Sequence, residues 1–421
     1  MSKQSITVNN RSYCWPKQPL VVVCIDGSEP DYIEKAVAAG QMPFTEKMLA
    51  QGADLRAHCV VPSFTNPNNL SIVTGQPPAV HGISGNFFLD PDSGEEVMMN
   101  DPKFLRAGTI FAAFEAAGAK IAVITAKDKL RRLLGEGLSF GEGGAICFSS
   151  EKSDETSFAS NGIEGLLQLV GKPVPSVYSA DLSEFVFASG VKVMERHRPD
   201  LMYLSTTDYV QHKHAPGTAA ANAFYAMMDG YWAQLADLGC TLALTADHGM
   251  SAKHDAQGQP NVIYLQDQLD RMLGKAKARV ILPITDPYVV HHGALGGYAT
   301  AYLPDGLDPA PLLAQLAAIE GVETAIPAAQ ACERFGLPAD RLGDIVVISK
   351  AAWALGSSPE RHDLSALKEP LRSHGGLSEQ TVPLLFSRPV VDLPEGRQLR
   401  NFDIFHVALN HLADRQTAAA D

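Results

Sequence analysis

The chain has 421 residues, of which 46% are hydrophobic and 19% charged. That composition excludes a disordered protein, and the length fits two to three domains of roughly 150 residues. Asp and Glu outnumber Lys and Arg by 47 to 34, for a net charge of −13, which argues against the basic face of a nucleic-acid binder; an anionic substrate stays open, because a bound metal inverts the local field.

Met1 to Asn10 is polar and lacks the apolar stretch of a secretory signal. The run from Leu20 to Ile25 is far shorter than the ~20 residues that span a bilayer. With Ile121 to Thr125, Leu201 to Ser205 and Thr241 to Thr245 it predicts four buried parallel strands. Helices are predicted between them, from Thr109 to Ala117 and from Ala219 to Leu238. In the second, Phe224, Met227, Met228, Tyr231, Leu235 and Leu238 recur at spacings of three and four. Alternating strands and helices predict a doubly wound α/β core with helices on both faces. After Gln259 the pattern changes: strands are expected at Arg279 to Pro283, Tyr298 to Leu303 and Asp344 to Ser349, and a helix at Leu312 to Ile319. Residues 258–366 are read as a smaller inserted α+β cap, with the core formed by 1–257 and 367–421 and ending in a helix around Asp403 to Leu412. Cys14, Cys24, Cys59, Cys147, Cys240 and Cys332 form no CxxC pair, so buried reduced thiols and a cytoplasmic location are expected.

The acids and histidines fall at strand ends. Asp26 follows the first strand, Asp208 the third, and Asp247-His248 the fourth. Ligands of open α/β sheets bind at the carboxyl ends of the strands, so separate segments deliver carboxylates to one place. Like charges gathered there need cations or shared protons to compensate them, and bound metal is the simplest compensation. His212 stands four residues after Asp208, the spacing of one helical turn. His374, in Arg372-Ser-His-Gly-Gly376, comes from the resumed core. These oxygen and nitrogen donors, without sulfur, suit zinc ahead of manganese or iron. Each residue alone reads as an N-cap aspartate or a hydrogen-bonded core histidine; their joint placement after strands favours a metal site. Thr65, in Pro62-Ser-Phe-Thr65-Asn-Pro, reads either as an N-cap or as a nucleophile activated by a divalent cation at a helix N-terminus that favours a phosphoryl group.

The order Asp26, Thr65 to Asn86, Asp208/His212, Asp247-His248, His374 resembles the alkaline phosphatase superfamily over the whole core. The Thr65 segment is similar to nucleotide pyrophosphatase/phosphodiesterases. A narrower family, the phosphonoacetate hydrolases, matches more closely and includes the cap stretch Asp286-Pro-Tyr-Val-Val-His-His-Gly-Ala-Leu-Gly296. The resemblance implies an alkaline-phosphatase-like core and two zinc ions per subunit, one held by Asp208, His212 and His374, the other by Asp26, Asp247, His248 and the Thr65 oxygen. A threonine at position 65 argues against sulfatases, alkaline phosphatases proper and cofactor-independent mutases.

The implied reaction is hydrolysis of the carbon–phosphorus bond of phosphonoacetate to acetate and phosphate by in-line attack of Thr65. Thr65, Asp208 and His374 would also face the substrate, and Asn86 would donate to a phosphonate oxygen. Lys127 and Lys129, in Thr125-Ala-Lys127-Asp-Lys129 after the second strand, read as a clamp on the carboxylate and on the charge developing on the leaving acetate. The alternative is a solvated loop, and the strand-end position together with the family resemblance favours the clamp. His214 has two readings, a contact to the substrate carboxylate or an exposed side chain behind the ligands. His81, His291 and His292 stay unassigned. The competing readings are a nucleotide phosphodiesterase or phosphomonoesterase with the same residues, and a non-catalytic metal- or phosphonate-binding protein, for which an activated nucleophile has no use. The expected partners are the small-molecule substrate and a second copy, with no nucleic acid and no membrane; a homodimer is the commonest closed assembly.

Overall fold

The computed structural model describes residues 5–285, 293–365, 367–394 and 396–414. In chain order its principal strands are β1 (Leu20–Cys24), β2 (Ala53–His58), β3 (Ile121–Thr125), β4 (Ile146–Ser149), β5 (Leu201–Ser205), β6 (Thr241–Thr245), β7 (Arg279–Ile281), β8 (Tyr298–Tyr302), β9 (Val322–Pro327), β10 (Ile345–Ser349) and β11 (Thr381–Phe386). The helices that matter here are α1 (Thr65–Thr74), α2 (Ile110–Ala116), α3 (Asp128–Leu134), α4 (Asp181–His197), α5 (Ala219–Asp237), α6 (Ala310–Ala317) and α7 (Ile404–Asn410).

Seven strands form the central sheet in the order β2-β11-β6-β1-β5-β3-β4. The four apolar runs in the sequence are its contiguous centre, β6-β1-β5-β3, all parallel. Each is buried along its whole length, which is why each reads as a continuous apolar run. Side chains alternate between two cores. Leu20, Val22 and Cys24 pack with Phe111, Tyr203 and Phe405 on one face. Val21, Val23 and Ile25 pack with Phe185, Phe187 and Trp232 on the other. Helices α2 and α7 thus cover one face, α4 and α5 the other. Thr109 caps α2, its Oγ1 accepting from the Ala112 amide at 3.0 Å.

The sheet is mixed rather than all parallel. β11 runs antiparallel to both β6 and β2. Beyond β10, residues Ala354–Gly356 pair with Val262–Tyr264. A second, antiparallel sheet, β7-β8-β10-β9, has its own core with Leu316 of α6. Val61 and Phe64, just before α1, belong to that core. Ser251–Ala252 and Arg372–Ser373 pair side by side where the chain leaves and re-enters the central sheet. No described helix is long and apolar enough to cross a membrane.

His81 is a structural residue. It is fully buried, its Nδ1 accepts from the Ile83 amide at 3.2 Å, and its Nε2 lies 2.9 Å from Ser71 Oγ. Burial and the nearby Arg341 push its pKa down to about 3. The folded value lies below the unfolded one of about 6.5, so this contribution is complete above that pH and is lost as pH falls toward 3. Between pH 7 and 5 the loss is about 2 kcal/mol. Urea unfolding at the two pH values is expected to show the parent losing about 2 kcal/mol more than His81→Asn, which keeps an acceptor for Ile83 but does not titrate.

Candidate active site

The donors converge at the carboxyl ends of the parallel strands. Asp26 follows β1, with its amide donating to Thr206 Oγ1 at 2.9 Å. Asp208 and His212 follow β5 on a single turn closed by the His212 amide to the Asp208 carbonyl at 3.0 Å. Asp247 and His248 follow β6. His374 leaves the short ladder beside them, on a loop that demands glycine. Gly375 has φ of +121°, and a Cβ there would sit 2.5 Å from the Phe64 ring.

Two sets of donor atoms lie within 4.8 Å of one another: Asp208, His212 and His374, and Asp26, Asp208 and His248. Asp208 belongs to both. Its Oδ2 is 2.8 Å from His212 Nε2 and 3.7 Å from His374 Nε2. Each imidazole offers its other nitrogen to a backbone carbonyl: His212 Nδ1 to Arg372 at 2.8 Å, His248 Nδ1 to Gly249 at 2.9 Å, His374 Nδ1 to Ser63 at 2.7 Å. That pattern turns all three Nε2 atoms toward the carboxylates, the orientation a metal-binding histidine needs. The His248 and His374 rings stack with centroids 3.6 Å apart and planes 5° from parallel.

Electrostatics supply the fit test for a cation. Burial, then the charges of Asp208 and Asp247, push the Asp26 carboxyl well above its ordinary range. Burial likewise raises Asp247. Burial alone would lower His248, but the surrounding carboxylates, Asp247 first, hold it up at about 10. Burial and the charge of His248 depress His374. The site therefore demands positive charge at the His248 Nε2–Asp26 Oδ1 gap. Those atoms are 3.3 Å apart and buried, and neither makes a well-formed hydrogen bond among the described residues. Divalent cations meet that demand, and the oxygen and nitrogen donors fit a binuclear metal centre.

Asp247 lies beneath this set, 3.9 Å from His248 Nε2. Its Oδ1 accepts from the Gly27 and His248 amides at 3.2 and 3.0 Å, its Oδ2 from Asn69 Nδ2 at 3.1 Å. Thr65 is the first residue of α1, and Phe64 occupies the cap position. Its hydroxyl makes no hydrogen bond among the described residues, so it is not spent as a cap. Asn86 Oδ1 accepts from the Asn66 amide at 3.0 Å, which leaves its side-chain amide beside the start of α1.

Thr65, Asn86, Asp26, Asp208, His212 and His374 line one cavity of about 550 Å³, and Lys127 and Lys129 line the same cavity. Lys127 Nζ donates to the Val177 carbonyl at 3.2 Å and lies 5.6 Å from the Tyr178 ring centre. His214 is not brought to this cavity; it lines a separate groove against α5. Residues 286–292, including His291 and His292, lie outside the described residues. Sequence reasoning missed Glu151, which lines the cavity and accepts from the Asp128 amide at 2.8 Å. It stands two residues after β4, and the run Ile146-Cys-Phe-Ser149 was the available clue. Tyr178 and Tyr209, also in the wall, carry no such mark.

Asp208→Ala is expected to bind less than half of the divalent metal that the parent takes up, because this carboxylate reaches both sets. Metal content after gel filtration reads the difference; retention of half or more would confine Asp208 to a single ion.

Central sheet, strand-end donors and helix-start threonine together define an alkaline-phosphatase-like protein. The alkaline phosphatase PafA shares the fold at a TM-score of 0.66 and 15% identity, over 94% of this chain and 96% of that one. The sequence model of the type I phosphodiesterase/nucleotide pyrophosphatase family matches residues 20–377. Phosphonoacetate hydrolase from Sinorhizobium meliloti 1021, crystallised with phosphonoacetate and with phosphonoformate, is 60% identical at a TM-score of 0.95, over 98% of this chain and 100% of that one. A phosphonoacetate hydrolase of Penicillium oxalicum is 66% identical over 38 residues, 8% of this chain and 53% of that protein. The chain spans 11–53% of the length of the curated relatives it matches. It belongs to the phosphonoacetate hydrolases within the type I phosphodiesterase/nucleotide pyrophosphatase family.

Proposed function

We propose that this chain hydrolyses phosphonoacetate to acetate and phosphate with two zinc ions per subunit and Thr65 as nucleophile. The observation that carries the reading is the cavity itself. It gathers Asp26, Asp208, His212, His374 and Thr65 with Lys127 and Lys129 around one space, in a chain 60% identical to an enzyme crystallised with phosphonoacetate. One ion is assigned to Asp208, His212 and His374, the other to Asp26, Asp247, His248 and the Thr65 oxygen, with Asp208 in reach of both. When bound, such ions neutralise phosphonate charge and lower the pKa of coordinated hydroxyls.

The protein's own groups do the rest. The start of α1 and the Asn86 side-chain amide receive the phosphonate oxygens. Thr65 Oγ forms the bond to phosphorus in line with the breaking P–C bond. The electron pair of that bond passes to the acetate carbon and, as an enolate, onto the carboxylate faced by Lys127 and Lys129. Water then takes the phosphoryl group from Thr65 and frees it as phosphate, and a proton from water completes acetate. The cap, residues 258–366 in this reading, contributes Ile284 to the cavity wall. Six free cysteines, four of them buried, suit a reducing compartment, the cytoplasm; a homodimer is the assembly we assign.

Phosphate release by zinc-loaded protein, measured on phosphonoacetate and, through a coupled phosphatase, on a nucleotide diester, tests the assignment. Turnover of phosphonoacetate alone is expected. Turnover of the diester alone would keep the metals and Thr65 and discard the substrate.

A further inference from the structure

Two charged side chains outside the donor set are sealed in the protein. Lys253 and Glu379 have side chains 0% exposed, and their Nζ and Oε1 atoms are 3.0 Å apart. Neither lines the cavity. Burial alone would raise the Glu379 carboxyl, but Lys253 and neighbouring hydroxyls hold it below its ordinary value, which favours the carboxylate. A buried ion pair is a poor source of stability, because the cost of removing both charges from water offsets their attraction. Its presence calls for another use.

The contacts of Glu379 name one. Its Oε2 accepts from the Gly376 amide at 2.9 Å, two residues after His374. Its carbonyl accepts from the Gly249 amide at 2.8 Å, one residue after His248. Lys253 is tied to the returning chain by its amide to the Leu371 carbonyl at 2.8 Å, three residues before His374. One residue therefore holds the loops of both stacked imidazoles, and Lys253 fixes that residue. On the opposite side Ser63 grips the same loop, its Oγ donating to the Gly376 carbonyl at 2.9 Å and accepting from the Gly375 amide at 3.0 Å.

We infer that the buried Lys253–Glu379 pair is a positioning device that sets the spacing of His248 and His374 and, through them, of the two metal ions. The inference rests on the proposed metal assignment of those histidines. Outer groups that orient metal ligands are worth about 10- to 100-fold in metal affinity.

The test compares zinc affinity, by competition with a chromophoric chelator, in the parent, in Lys253→Met/Glu379→Leu and in Glu379→Gln. The double variant replaces the pair with apolar side chains of similar size, a change that commonly leaves stability unaltered or improved. Expected is a metal-free double variant that still unfolds cooperatively, with zinc bound about 10- to 100-fold more weakly. Glu379→Gln keeps a hydrogen-bonding side chain without the charge and is expected to weaken zinc in the same range. The visible spectrum of cobalt-loaded protein is expected to change in both. Parent-like zinc affinity in either folded variant overturns the inference. Failure of the parent to bind zinc overturns the metal assignment instead.

Discussion

Thr65→Ala is expected to lose phosphonoacetate turnover by a factor on the order of 10⁴ or more while keeping most of its zinc. The size follows from removing the atom that forms the covalent bond, for which neighbouring groups do not substitute. Retention of zinc follows from the remaining donors, which are carboxylates and imidazoles fixed by the backbone rather than by Thr65. His212, His248 and His374 are each locked through Nδ1 to a carbonyl, and Asp247 is held by Asn69 and two amides. The substitution itself is well tolerated by the helix: alanine is favourable at its first turn, and Phe64, not Thr65, holds the cap position. Thr65→Ser, which restores the hydroxyl, is expected to recover measurable turnover. Acid-quenched single turnovers of the parent, read by mass spectrometry, are expected to carry a phosphoryl group on Thr65 that the alanine variant lacks. Turnover by Thr65→Ala comparable to the parent would sink the covalent route.

How far the sequence predicts this site depends on how local each feature is. The central strands were legible because parallel strands covered on both faces are apolar at every position. β2, Ala-Asp-Leu-Arg-Ala-His, was not, because it is the sheet's edge and mostly half exposed. β11 was not, because Pro383 breaks the pattern and its antiparallel course is a matter of topology. The donors were legible because a strand end is a position along the chain as well as in space. Asp208 reaching both donor sets was not, since it depends on how β5 and β6 sit across β1. Lys253 and Glu379 are separated by 126 residues, and a lysine and a glutamate in sequence carry no sign of burial. His214, left with two readings by the sequence, is the opposite case. Two residues from a donor along the chain, it points to another groove because the turn after Asp208 ends there.

In the proposed reaction Lys127 and Lys129 decide the substrate, and Lys129→Ala is the variant that tests it. Acetate is a poor leaving group unless the electron pair from the P–C bond is received as an enolate, so charge grows on the carboxylate only as the transition state forms. A cation facing that carboxylate therefore stabilises the transition state more than the bound substrate, and its removal lowers kcat as well as kcat/KM. Loss of one such group costs on the order of 10²- to 10³-fold. An aryl phosphate ester expels a stable phenolate and has no carboxylate, so its kcat/KM is expected to fall by less than about tenfold by the same reasoning. The ratio between the two substrates removes any common effect on metal loading or folding, because in the proposed mechanism both reactions use the same Thr65 and the same donors. Glu151, lining the same cavity and bonded to the amide between the lysines, helps fix the start of α3. Equal losses on both substrates would place Lys129 outside the leaving-group site and leave the phosphonate assignment without a structural basis in this cavity.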